Sequence, residues 1–265
     1  MSRYGNRSVL PAGLLRGLDE ALSEADLHLM LARLPDQKLT DASLAPKLLR
    51  QLASDGLLIN YNAHIPPMMS NLIVRHQIPS VWINTKQDYN AVYPDDEQAG
   101  YDCTQHLIQA GHQRIAFVDY TCAEKPVDPH YSNTDRRHGY FRAMQEAGLV
   151  PRLICGSGNI PLAERIPFTR GWLESSERPS AVLCYTHHES GPILSAMDRM
   201  GLRPPKDLDL ITIHDEPVVH YDIRVPTAVL PELELGHRAV AMLMRCIQEP
   251  GVSFPAESLA LKLMR

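Results

Sequence analysis

The sequence predicts an α/β protein of two doubly wound, parallel-sheet lobes, and three observations predict it. Short apolar runs alternate with segments of helical period along most of the chain. Strands joined through helices pair in parallel by right-handed crossovers. The 265 residues carry more of these units than one wide sheet comfortably holds, so two lobes are expected.

The elements follow in order. Residues 10–25, LPAGLLRGLDEALSEA, put Leu14, Leu18, Ala21, Leu22 and Ala25 on one face with acids between them, an amphipathic helix. A helix over 44–54 leads to the strand LLINY (57–61), and 67–76 is helical again. SVWIN (80–84) is a strand; after a loop, 97–111 is a helix closed by Gly111. RIAFVD (114–119) is a strand and 134–148 a helix that also ends on glycine. RLIC (152–155), a helix near 163–175, SAVLCY (180–185), a helix near 189–200 and LDLITIH (208–214) continue the series. A helix over 234–248 and a last strand over 257–264 break the rhythm.

Composition narrows the function classes. Hydrophobic content of 44% and charged content of 22% are ordinary for a globular chain. Net charge is -5 with no basic run, which argues against DNA binding by this segment itself. Five scattered cysteines (103, 122, 155, 184, 246), an odd number with no CxxC, fit a reducing compartment and no cysteine zinc site. The start, MSRYGNRSVLPAG, has no apolar core of a signal peptide, and no stretch approaches a membrane span. A cytoplasmic protein is expected.

SAVLCYTHHES (180–190) raises the central question, because two histidines stand where a buried strand ends. In α/β sheets that is where ligands bind. A metal site would need partners such as His214 and His220, but neither HExxH nor a Cys/His finger spacing occurs. No GxSxG, GxxxxGK[ST] or GxGxxG is present, and CGSGNIP (155–161) has the wrong spacing for a phosphate loop. Asp95 and Asp96 read as a solvated pair in a loop. No catalytic residue, metal or cofactor is expected. Ligand holding and plain solvated turn residues remain. The strand-end loops are Asn60 to His64, Asn84, Asp119 to Cys122, Thr186 to His188 and His214 to Glu216, and they supply hydrogen-bonding and titratable groups. Asn62 and Tyr120 are counted among them as ligand contacts.

Several phrases together resemble the lactose-repressor (LacI/GalR) family of transcriptional regulators. LLRGLDEALSEADLHLML (14–31) is similar to that family's first effector-domain helix and second strand. DGLLIN (55–60), IPSVWIN (78–84), DDEQAGYDCTQHLIQAGHQRIAFV (95–118) and RRHGYFRAMQEAGL (136–149) follow in the family's order. So do residues 178–217 and PELELGHRAVAMLMRCIQ (231–248). The resemblance covers nearly the whole chain. It implies a periplasmic-binding-protein type I fold with a three-strand hinge. The N-terminal lobe would comprise 1–96 plus 233–253 and the C-terminal lobe 97–232 plus 254–265. It further implies a small ligand held between the lobes, a homodimer, and operator DNA bound by a helix-turn-helix that these residues lack. MSRYGNRS resembles the loop after the first core strand, so that strand is expected to be missing. A periplasmic-type solute-binding protein is the alternative.

Carried over residue by residue, the resemblance makes Arg136 the effector-reaching arginine. Asn84 stands where the family often has Asp, Thr186 and His187 where it has Asn-Asp, and His214 where an Asp accepts sugar hydroxyls. Ile160 lies near a position that is often aromatic. Carboxylates thus give way to an amide and imidazoles around a guanidinium, which suggests a sugar acid or sugar phosphate, with a neutral sugar or nucleoside as runner-up. Binding of an anion would strengthen as His187 and His214 protonate. The 10–25 helix and Met68, Met69, Leu72 and Ile73 are the candidate dimer surface.

Overall fold

The computed structural model describes residues 10–31, 54–60, 67–121, 130–156 and 158–265. In chain order these form α1 (Ala12–Glu24), β1 (Leu57–Asn60), α2 (Pro67–Arg75), β2 (Ser80–Ile83) and β3 (Ala91–Pro94). They continue with α3 (Asp96–Gln109), β4 (Ile115–Val118), α4 (Tyr131–Glu146), β5 (Arg152–Ile154), α5 (Leu162–Leu173), β6 (Ala181–Cys184) and α6 (His187–Arg199). The remainder is β7 (Asp209–His214), β8 (Val218–His220), β9 (Ile223–Val225), β10 (Thr227–Val229), α7 (Glu232–Gln248), β11 (Glu257–Leu259) and β12 (Lys262–Met264). The helix expected near 44–54 falls almost wholly outside the described residues; Asn62, Cys122 and the side chain of Met68 lie outside them too.

Two compact units form. The first takes residues up to Pro94 and Pro231–Leu259, the second Asp95–Leu230 and Ala260–Arg265. In the first, four parallel strands run in the order β1-β2-β3-β11. The alternation of β2 decides its two faces. Val81 and Ile83 join the α1 and α7 side chains Leu14, Leu18, Leu22, Leu235 and Leu243. Trp82 points the other way, to Ile59, Met69 and Ile73. The apolar stripes of α1 and α2 are therefore used inside this unit, and the dimer surface assigned to them from sequence is largely occupied by intramolecular packing. Residues 27–31 form no strand, although Leu27 and Leu29 pack on the same core.

The second unit holds a six-stranded sheet, order β12-β10-β7-β6-β4-β5, parallel except at β12. It is wound on both faces. Val118, Val182 and Cys184 face α5 and α6 through Trp172, Ile193 and Met197. Ile115, Phe117, Leu183 and Ile211 face α3 and α4 through Leu107, Tyr140 and Met144.

Among the described residues each unit contains a very close helix crossing. A Cβ on Gly17 of α1 would overlap the Leu233 carbonyl of α7, and one on Gly236 the Gly17 backbone. A Cβ on Gly100 of α3 would overlap the Arg136 carbonyl of α4, and one on Gly139 the Glu97 carbonyl. Backbones in such contact leave no room for a methyl group.

Three features depart from the sequence reading. β3, β8, β9 and β10 were not anticipated, being three- or four-residue strands flanked by prolines or loops. The single strand expected over 257–264 is two strands in two sheets, β11 beside β3 and β12 beside β10. The chain consequently passes into the second unit after Leu259, later than the sequence boundary at 253. Among the described residues no helix is long and apolar enough to cross a membrane.

Candidate effector site

The order β7-β6-β4-β5 locates the site. From β4 the chain crosses outward to β5, then returns past β4 to β6. Connections leave in opposite directions there, which opens a crevice beyond the carboxyl ends of β4 and β6. Asp119 to Thr121 follow β4, Tyr185 to His188 follow β6, and His214 and Asp215 end the adjoining β7.

Thr186 is extended (φ -142, ψ 178) and caps α6. Its hydroxyl donates to Glu189 Oε2 at 2.9 Å and accepts from the His188 N–H at 3.2 Å, while its own N–H donates to Glu189 Oε2 at 2.9 Å. This is a Thr-x-x-Glu capping box. Its consequence is that both His187 and His188 lie in the first helical turn, slightly ahead of the start near 189 expected from sequence. The box was legible as Thr186-His187-His188-Glu189. Pro192, with no N–H, frees the His188 carbonyl from the helix ladder, and Arg165 Nη1 approaches that oxygen at 3.4 Å. Glu189 is fully buried, and burial together with neighbouring Asp119 pushes its carboxyl up to about 7.

The rings of His188, His187 and His214 lie one against the next, tilted by 42° and 33°, with centroids 4.0 Å and 3.7 Å apart. His214 Nδ1 is hydrogen-bonded to Asp215 Oδ1. Burial, then His188 and His214, hold His187 down at about 4, and its Nδ1 is buried without a partner among the described residues. Burial also lowers His188 and His220. Neutral rings are thus favoured through most of the stack. Among the described residues no group of His, Cys, Asp or Glu is arranged to hold a metal ion.

Arg136 is 5% exposed. Its Nε donates to Asp96 Oδ1 at 2.6 Å and its Nη1 to the Tyr185 carbonyl at 2.7 Å. Asp96, read from sequence as half of a solvated loop pair, is instead the first residue of α3 and 1% exposed. A cation this deeply buried requires such a partner. The Gly100–Gly139 crossing is what brings the starts of α3 and α4 close enough for it. With Asp96 against it, Arg136 is one half of a locally neutral pair and not the lone cation expected from sequence.

The other candidates divide. Asn84 sits at the end of β2 in the first unit with φ 54, its N–H donating to the Val92 carbonyl at 3.0 Å. Ile160 and Tyr120 lie in the hydrophobic core of the second unit. Tyr120 is fully buried and donates to Thr169 Oγ1 at 2.5 Å, since the Thr169 hydroxyl is itself spent on the Arg165 carbonyl. Asp119, counted from sequence among the strand-end loops, is 2% exposed, accepts from the Thr121 N–H and hydroxyl at 2.8 and 2.7 Å, and is hydrogen-bonded by Asn133, a role that sequence reasoning missed. The same reasoning also missed Asp215 as the partner of His214. Adjacency in sequence was the signal for Asp215; nothing short of the fold joins Asp119 to Asn133.

Comparison with known proteins identifies the family. Residues 12–165 match the family of periplasmic binding proteins and the sugar binding domain of the LacI family, and 104–264 match a periplasmic binding protein-like domain. The arabinose metabolism transcriptional repressor of Geobacillus stearothermophilus is 27% identical over 90% of this chain and 67% of its own length. The HTH-type transcriptional repressor PurR of Escherichia coli O1:K1 / APEC is 29% identical over 74% of this chain, which spans only 58% of that relative. A LacI family transcriptional regulator from Enterococcus faecium, solved with bound ribose, superposes with a TM-score of 0.72 at 20% identity, covering 96% of this chain and 91% of that one. With its two matched models and its doubly wound units, the chain belongs to the LacI/GalR family as a periplasmic-binding-protein-like effector-binding domain.

Proposed function

We propose that this protein is the sensing and dimerising part of a cytoplasmic LacI-type repressor, and that its effector is a small, uncharged, sugar-like molecule. It acts by binding, without catalysis or cofactor, and as a homodimer passes occupancy to an operator-binding domain outside these residues. The repressors it matches and the ribose-bound structural neighbour support that reading.

The observation that carries the ligand class is the closed Arg136–Asp96 pair beside a largely neutral imidazole stack. Such a wall offers directed donors and acceptors but little net charge, which suits hydroxyl groups. A sugar acid or sugar phosphate is the second reading, because Arg136 remains a donor fork and the histidines can be protonated.

A thermal-shift screen of neutral sugars, sugar acids and sugar phosphates near pH 7.5 tests this, because a ligand that binds only the folded state raises Tm by mass action. A rise of a few degrees with a neutral sugar is expected. A response confined to acids and phosphates would reverse the ligand class; silence from all three would remove sugar-like effectors altogether.

A further inference from the structure

Two arginines of the second unit are similarly buried and differently partnered. Arg136 has Asp96 against it. Arg165 of α5 is 3% exposed and has no carboxylate partner among the described residues. Its Nε donates to the Ile160 carbonyl at 3.2 Å and its Nη1 to the His188 carbonyl at 3.4 Å. Its guanidinium carbon lies 5.6 Å from the centre of the Tyr120 ring. Burying a cation on carbonyls alone costs stability that an apolar side chain in the same place would not. Nor is Arg165 needed to hold α5 on α6, which already pack through Trp172, Ile193 and Met197.

The two carbonyls belong to separate segments beside the crevice. Ile160 lies in the loop between β5 and α5, and its N–H donates to the Tyr120 carbonyl beyond β4 at 2.8 Å. His188 stands in the first turn of α6, where its carbonyl lacks a ladder donor because residue 192 is proline. A guanidinium presents five N–H groups in one rigid plane, so a single side chain bonds acceptors on both segments at a set spacing. An ammonium is a point charge on a flexible stem and sets no such spacing. The surface beneath is itself held, since the Tyr120 hydroxyl is bonded to Thr169 Oγ1 at 2.5 Å.

We propose that Arg165 is a positioning residue of the effector site, tying the loop before α5 to the turn of α6 that carries His187 and His188. This rests on the reading that the effector binds at the carboxyl ends of β4 and β6. Arg165 acts through the two backbone segments: it sets the gap between loop and turn, and with it the ligand outline that the crevice accepts. The stability lost in burying an unpaired cation is then the cost of a fixed spacing, which apolar packing alone does not impose.

Backbone hydrogen exchange followed by NMR reads the tie without a ligand. Arg165→Met keeps a long side chain but has no donors. It should speed exchange at Ile160, His188 and Glu189 together, by about tenfold, the worth of one hydrogen bond to a charged group. Pro192→Ala supplies the N–H that the His188 carbonyl lacks, so adding it to Arg165→Met should slow the turn again and leave Ile160 fast. Recovery of both segments in that double variant would mean that Arg165 only satisfies a carbonyl, and would overturn the tie while leaving the proposed function standing. Slow exchange at Ile160 in Arg165→Met would do the same. D-ribose and L-arabinose at high concentration are the ligand probes. The sugar that binds the parent should bind Arg165→Met and Arg165→Lys about tenfold more weakly, with no rescue by Pro192→Ala. Unchanged affinity in Arg165→Met, or full rescue by Arg165→Lys, overturns the positioning role. If neither sugar shifts any amide of residues 119–121, 158–162 or 186–189 in the parent, the site reading fails and the inference falls with it.

Discussion

Glu189 and His187, two residues apart on the first turns of α6, titrate in opposite senses, and stability should record both. Glu189 is raised from 4.5 to about 7, so the fold favours its protonated form. That contribution is complete below the unfolded value and is lost as pH rises through 7. His187 is lowered from 6.5 to about 4, so the fold favours its neutral form, a contribution present above 6.5 and lost as pH falls through 4. Between about 4.5 and 6.5 the two slopes oppose, and Tm should be flattest there. Glu189→Gln should leave the His187 slope unopposed, so that Tm rises with pH between about 4.5 and 6.5, and His187→Gln should leave the Glu189 slope, so that Tm falls over the same range. Melting curves across this range check it; a Glu189→Gln profile as flat as the parent's would show that Glu189 is not the group opposing His187. At this scale the sequence was half legible. It pointed to His187 and His214 as strand-end residues, but Asp96 and Asp119 are buried carboxylates whose partners Arg136 and Asn133 lie 40 and 14 positions away. Spacing along a chain carries no signal for such pairs.

Among the elements, α3 and α4 meet backbone to backbone at Gly100 and Gly139, and that crossing sets the Asp96–Arg136 contact. Alanine at either glycine should force the helices apart and cost about 1–3 kcal/mol, the usual penalty for overpacking. Gly171, inside α5, has nothing near its absent Cβ. Gly171→Ala should therefore stabilise by about 0.5–1 kcal/mol, through helix propensity alone. Chemical denaturation of the three variants separates the effects, and a stable Gly100→Ala would mean the crossing can yield. Long periodic helices were read correctly in kind because their apolar stripes repeat. β3 and the 218–229 strands were missed because three or four residues are too few to show a period of two. The α6 start was misplaced because the capping box went unread.

In the whole molecule neither unit is continuous. α7 supplies Leu235, Ala239 and Leu243 to the core around α1, whereas the second unit receives only the edge strand β12 from beyond Leu230. Ending the chain after Leu259 should leave circular dichroism near that of the full chain with a small loss of Tm. Ending it after Leu230 should abolish the cooperative melting of the first unit while the second still unfolds as a domain; persistence of both transitions would contradict this dependence. The two-lobe architecture was visible in the alternation of runs and helices, but the late crossing after Leu259 was not, because 257–264 reads as one apolar stretch.

The interlaced connectivity also orders events during synthesis. The unit begun first is the one finished last, since the 136 residues from Asp95 to Leu230 intervene before α7 exists. At ~5–20 residues per second that interval lasts on the order of ten seconds. Throughout it the nascent first unit presents Leu14, Leu18 and Val81 without the helix that covers them, while the second can already close around its own sheet. A ribosome-bound chain halted near residue 230 is therefore an orphaned half with a sticky face, and chaperone engagement belongs to that stretch of translation.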